Sequence, residues 1–244
     1  MKAKSRDPQP VDRPSRLRRA YFECRYGQLH VRDAMSAGGG FDEGTTLLCL
    51  HQGPLAGRLF QKFLPLMGTD RSVYAPDLPG DGESDAPPAP PSIADYAGAL
   101  ADFLADLRFR QVDLLGFHVG AAIAAELAVS RANVVRRLVL VGVPILAPEQ
   151  QAAYAREPTP ASAADTAGSW GRRAVAAYPM RERLSQVQQP VLVLRPRDEL
   201  WEATARARET LRGGKFEDFA DCGSGLFEAA PERVAALARE FLGR

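Results

Sequence analysis

The pattern richest in possible chemistry is Gly116-Phe117-His118-Val119-Gly120, between an apolar run that begins at Val112 and an Ala-rich run that reaches Glu126. Glycines two residues before and two after a central residue let the chain leave a strand and enter a helix in a very tight turn. The central residue is held in a strained conformation and its side chain is pushed out over the end of the sheet. Here that side chain is an imidazole. Its ordinary pKa near ~6.5 suits it to take or give a proton at neutral pH.

Four further polar stretches follow strand-like runs. His51-Gln52-Gly53-Pro54 follows Thr45–Leu50, and Pro76–Ser84 follows Ser72–Ala75. Arg195-Pro196-Arg197-Asp198-Glu199 follows Pro190–Leu194, and Asp221-Cys222-Gly223-Ser224-Gly225 follows Lys215–Phe219. Val135–Val143 reads as another strand, and a hairpin is expected around Tyr26-Gly27-Gln28. Helical spacing predicts elements at Leu59–Met67, Trp201–Leu211 and Pro231–Leu242, and one from Ser92 to Leu107 with Ser92 as its cap and Asp95 at the third position. Strands that alternate with helices predict a mostly parallel sheet covered by helices. Right-handed crossovers place the strand C-termini along one edge, where ligands bind. His51, Asp77, His118, Asp198 and Ser224 all belong to loops at that edge.

Five of these stretches, in order, resemble the α/β-hydrolase superfamily: His51–Pro54, Pro76–Ser84, Gly116–Gly120, Val191–Glu199 and Gly223-Ser224-Gly225-Leu226-Phe227. The resemblance covers Tyr21 to Arg244. It implies an α/β-hydrolase fold, with about eight strands flanked by helices and a short cap insert. It also implies a nucleophile at the elbow, a histidine after the last strand and an acid after the preceding one. Carried over, the oxyanion donors are the backbone of Val119 and of Gln52 or Gly53, with His51 supporting that loop. The acid is Glu199 or Asp198, and spacing slightly favours Glu199 because Pro196 stands where the family has a glycine. Two positions depart from the pattern. His118 occupies the nucleophile place and Ser224 the histidine place, so no ordinary Ser-His-acid triad can be assembled. The exchange suggests a swapped pair, with Ser224 lying between the acid and His118.

The expected function is that of a cofactor-free enzyme acting on a small ester or other carbonyl compound, with His118 as acid/base. The rival is a catalytically inactive pseudo-hydrolase that binds a ligand or a partner. Attack by the imidazole itself is a rarer third use. No acid lies at ligand spacing near His51 or His118, so no metal site is expected. Asp77, Asp81 and Ser84 read as turn residues, and Trp201 and Phe227 as packing or substrate contacts.

A net charge of +1 excludes a strong overall field for nucleic acid, and no apolar run approaches the ~20 residues of a membrane span. Three scattered cysteines and the lack of a signal-peptide pattern make a cytoplasmic protein the expectation. Residues 1–20 read as a flexible basic leader, 21–144 and 190–244 as the core domain, and 145–189 as the cap. So short a cap predicts an open site or one closed by a second copy in a homodimer. Leu146, Tyr154, Trp170 and Tyr178 are the cap residues expected to face a small-molecule pocket or to pack the cap on the body.

Overall fold

Alternate residues of the central strands bury on opposite faces of the sheet, so each strand feeds two cores. A computed structural model of the chain describes residues 15–36, 44–156, 170–211 and 213–243. Its strands are β1 (Leu17–Cys24), β2 (Gly27–Ala34), β3 (Gly44–Leu50), β4 (Arg71–Pro76), β5 (Val112–Phe117), β6 (Val135–Val141), β7 (Val191–Pro196) and β8 (Lys215–Phe219). They form one sheet in the order β1-β2-β4-β3-β5-β6-β7-β8. β1 and β2 pair antiparallel, as do β2 and β4, and every other pairing is parallel. This is the α/β-hydrolase architecture expected from the sequence.

On one face Leu48, Leu50, Leu114 and Leu140 pack under α2 (Ile93–Asp106) and α3 (Val119–Ser130). On the other, Cys49, Leu115, Phe117 and Val141 pack against α1 (Phe63–Met67), α9 (Leu226–Ala229) and α10 (Pro231–Leu242). α3 is buried from Val119 to Ala128. Its alanines let the helix lie close to the sheet and leave it no polar face. α2 starts as expected: the Ser92 hydroxyl accepts from Asp95 N–H at 3.2 Å, and the Asp95 carboxylate accepts from Ser92 N–H at 2.9 Å. This reciprocal box satisfies two otherwise orphaned donors.

The cap insert supplies α4 (Pro148–Arg156), α5 (Trp170–Ala177) and α6 (Met180–Ser185), and two short helices, α7 (Trp201–Ala205) and α8 (Ala207–Thr210), follow β7. The leader needs a correction. Leu17–Ala20 is not part of it but belongs to β1, because Arg18 pairs with Asp33 at 2.9 Å and the hairpin register continues to Leu17↔Ala34. The rest of the leader up to residue 14, most of the Gly-rich loop after β2 and the middle of the cap insert lie outside the described residues. No helix among the described residues is long and apolar enough to cross a membrane.

Candidate active site

β5 ends at Phe117 and α3 begins at Val119, so His118 is the whole turn. Its backbone has φ 52° and ψ −107°, and its N–H donates to Val141 O at 2.9 Å. The flanking glycines are required by close approach. A Cβ on Gly116 would lie 2.2 Å from Gly120 O, and one on Gly120 would lie 2.0 Å from Leu50 O.

From this turn the imidazole reaches the loop after β7. Nε2 of His118 lies 2.8 Å from Asp198 Oδ2. The carboxylate can only accept, so Nε2 carries the hydrogen and donates it. Asp198 is itself fixed, because its Oδ1 accepts from Leu200 N–H at 2.9 Å. The other ring nitrogen, Nδ1, faces Glu199 Oε1 at 3.7 Å. Glu199 is held in turn by both Nη atoms of Arg172 on α5, each at 2.8 Å. Arg172 also donates through Nε to Tyr154 O at 2.9 Å and stacks on the Tyr154 ring at 3.9 Å. The cap is thereby tied to the acid loop beside the imidazole. Both the His118 and Asp198 side chains are 3% exposed.

The sequence expectations divide on this geometry. The choice between acids resolves to Asp198 as the group bonded to His118, with Glu199 on the opposite nitrogen; the spacing preference for Glu199 is corrected. The swapped pair is also corrected. Ser224 is exposed and its side chain makes no hydrogen bond among the described residues, so it neither separates the acid from His118 nor is held by it. An imidazole mounted on the elbow is long enough to reach the acid unaided, which leaves Ser224 on the rim. The expectation of an open site does not hold at His118, because the short cap sends Arg172 down onto Glu199.

His51 is fully buried. Leu78 N–H donates to its Nε2 at 2.8 Å, so Nδ1 carries the hydrogen and donates to Gln52 O at 2.9 Å. Burial pushes its pKa down. With both nitrogens on backbone groups, His51 braces the Gln52 loop, the supporting part expected of it. The N–H groups of Gln52, Gly53 and Val119 donate to no acceptor among the described residues.

Asp77 braces the next loop: it accepts from Gly57 N–H at 2.7 Å, Glu83 N–H at 2.9 Å and His30 Nδ1 at 2.9 Å. Asp81 is buried, and burial with the nearby Asp77 charge pushes its pKa up to about 8. Phe227 packs edge-on to Phe60, Phe63 and Phe117, while Trp201 carries Arg195 at 3.7 Å from its ring centroid.

Leu146 and Tyr178 line a cleft of about 960 Å³ between the cap and α8, together with Ile145, Met180 and Arg206. Tyr154 instead packs under Arg172. Sequence reasoning missed Arg172, for which an Ala/Arg-rich insert gives no spacing signal. Among the described residues no group of three His, Cys, Asp or Glu side chains is arranged to hold a metal.

Comparison with known proteins bears on the fold. A haloalkane dehalogenase of Mesorhizobium japonicum is 31% identical over 133 residues, 54% of this chain and 40% of that protein. An uncharacterized protein of Mycobacterium tuberculosis is 40% identical over 70 residues, 29% of this chain and 20% of that one. The chain thus matches less than half the length of either curated relative. Among solved structures, an enol-lactonase from Burkholderia xenovorans superposes with a TM-score of 0.78 at 16% identity, covering 92% of this chain and all of that one. A hydrolase from Pseudomonas aeruginosa gives 0.76 at 18% identity, over 93% and 98%. The family model for the alpha/beta hydrolase fold matches residues 45–210, from the strand that leads to His51 through the acid loop at Asp198. With the sheet order and the elbow, that match makes the chain a member of the alpha/beta hydrolase fold family.

Proposed function

We propose that this protein is an enzyme that acts without a cofactor on a small ester or other carbonyl compound, with His118 as its acid/base. The observation that carries this reading is the 2.8 Å contact between His118 Nε2 and Asp198. It places the ring hydrogen on Nε2 and leaves Nδ1 as the basic lone pair. Nδ1 then takes a proton from water or from a carbon beside the substrate carbonyl. The imidazolium that forms directs one N–H at each of two carboxylates, Asp198 and Glu199, so the charge is met as it develops. Negative charge on the substrate oxygen is received by the N–H groups of Val119 and of Gln52 or Gly53. Nδ1 returns the proton to the leaving group or to the product.

The rival reading is an inactive member of the family that binds a small ligand or partner. It draws on one observation: both imidazole nitrogens face carboxylates while the ring is nearly out of contact with water. A panel of p-nitrophenyl esters of several acyl lengths, with enolisable carbonyl compounds alongside, separates the two. The enzyme reading expects turnover that His118→Ala abolishes and Ser224→Ala leaves unchanged. Ligand binding without turnover, at an affinity that survives His118→Ala, would establish the binding module instead.

A further inference from the structure

A proton that enters or leaves His118 other than with substrate or product must pass to bulk water, and His118 is 3% exposed. Asp198 cannot carry that proton out. It is equally buried, and its two oxygens are engaged by His118 and by Leu200 N–H. Glu199 differs in its exposure and in the nitrogen it faces. Its side chain is 34% exposed, and its Oε1 stands 3.7 Å from Nδ1, the nitrogen that does the chemistry. Arg172 holds both of its oxygens at 2.8 Å, so the carboxylate stays beside the ring.

We propose that Glu199 is the proton outlet of this site, passing the Nδ1 proton of His118 to bulk water and back; the proposal rests on the acid/base reading of His118. A side-chain shift of roughly 1 Å brings Oε1 from its present separation to hydrogen-bond distance. The Nδ1–H bond of the imidazolium breaks as an O–H bond forms on Glu199. The ring is left neutral, with its Nε2–H still on Asp198, and the Glu199 acid then releases its proton to water. Arg172 acts as a positioning residue, since its fork keeps the carboxylate beside the ring.

The relay can be read without knowing the substrate. The chain has three histidines, so ¹⁵N-histidine labelling gives few ring signals. The buried rings of His30 and His51 serve as internal references, because each has its Nδ1 on a protein acceptor. Water exchange at His118 Nδ1–H is measured by saturation transfer, at a pH low enough to populate the imidazolium. Glu199→Gln keeps an acceptor for Arg172 but cannot carry a proton. The variant is expected to slow this exchange by about 10²-fold, and added acetate restores the rate in the variant only. A wild-type signal broadened beyond detection that reappears in Glu199→Gln supports the relay as well. Equal exchange in both proteins, or broadening in both, overturns it. Retained His30 and His51 signals show that the variant is folded. The acid/base reading fails separately, if turnover survives His118→Ala.

Discussion

His118 Nε2 lies 2.8 Å from Asp198 Oδ2, so a single side chain spans the distance that the family's pattern divides between a nucleophile and a separate histidine. The elbow supplies the strained backbone, and the loop after β7 supplies the acid. With a histidine in the turn, the two meet directly.

Asp198→Asn tests what that contact does. The amide can turn its NH₂ toward Nε2, which then becomes an acceptor, and the ring hydrogen moves to Nδ1. The basic lone pair is lost while the shape is kept. Ring ¹⁵N shifts are expected to report the Nδ1–H tautomer, and turnover is expected to fall by about 10² or more. A variant that keeps the Nε2–H tautomer would show that Asp198 does not set it.

The fold was legible because its signals are local. Apolar strand runs, the Ser92–Asp95 box and the glycines of the elbow each act within a few residues. The site was legible in part. His118 and the acid loop are placed by the same motifs, but the choice between Asp198 and Glu199 turns on side-chain reach across β6. Ser224 was misread because position in a motif does not state which partner is long enough to touch. Arg172 could not be read at all, since its meaning comes from docking α5 over a loop 27 residues away.

Asp81 predicts how stability varies with pH. Its carboxyl is lifted from its ordinary value to about 8, first by burial and then by Asp77. Between the unfolded pKa of about 4 and that value the unfolded chain has lost the proton while the folded chain keeps it. Stability therefore falls as pH rises through this window. Asp81→Asn is expected to leave stability near pH 4 almost unchanged and to raise it by about 5 kcal/mol at pH 8. Denaturant midpoints across the range would read this, and an equal shift at both pH values would contradict it.

Arg172 predicts how the cap is held. Its guanidinium bonds Glu199 twice, bonds Tyr154 O and covers the Tyr154 ring. Arg172→Ala removes all of these at once. Amide exchange is expected to speed up in α4 and α5 while the central strands keep their protection. Global stability is expected to fall by only about 1 kcal/mol, because part of the pair faces water. Unchanged exchange in both helices would mean that the cap docks by its apolar contacts alone.

Gly142 follows β6 and lies against the imidazole. Its φ is +62°, and a Cβ there would come within 2.3 Å of His118 Cδ2 and 2.7 Å of Nε2. Gly142→Ala therefore meets two obstacles. The left-handed conformation alone costs alanine about 1–2 kcal/mol. The methyl also occupies the space of the ring, which can give way only by leaving Asp198, because Gly142 N–H is tied to Leu194 O and His118 N–H to Val141 O. The variant is expected to be destabilised and to lose the His118–Asp198 hydrogen bond, seen as a changed Nε2–H signal and lost turnover. Gly213→Ala is the matched control: a Cβ there meets nothing within 4 Å, so the same change at a distant glycine should alter neither. If Gly142→Ala keeps both the signal and the activity, the imidazole has room to move, and the fixed ring on which the proton-transfer reading depends is wrong.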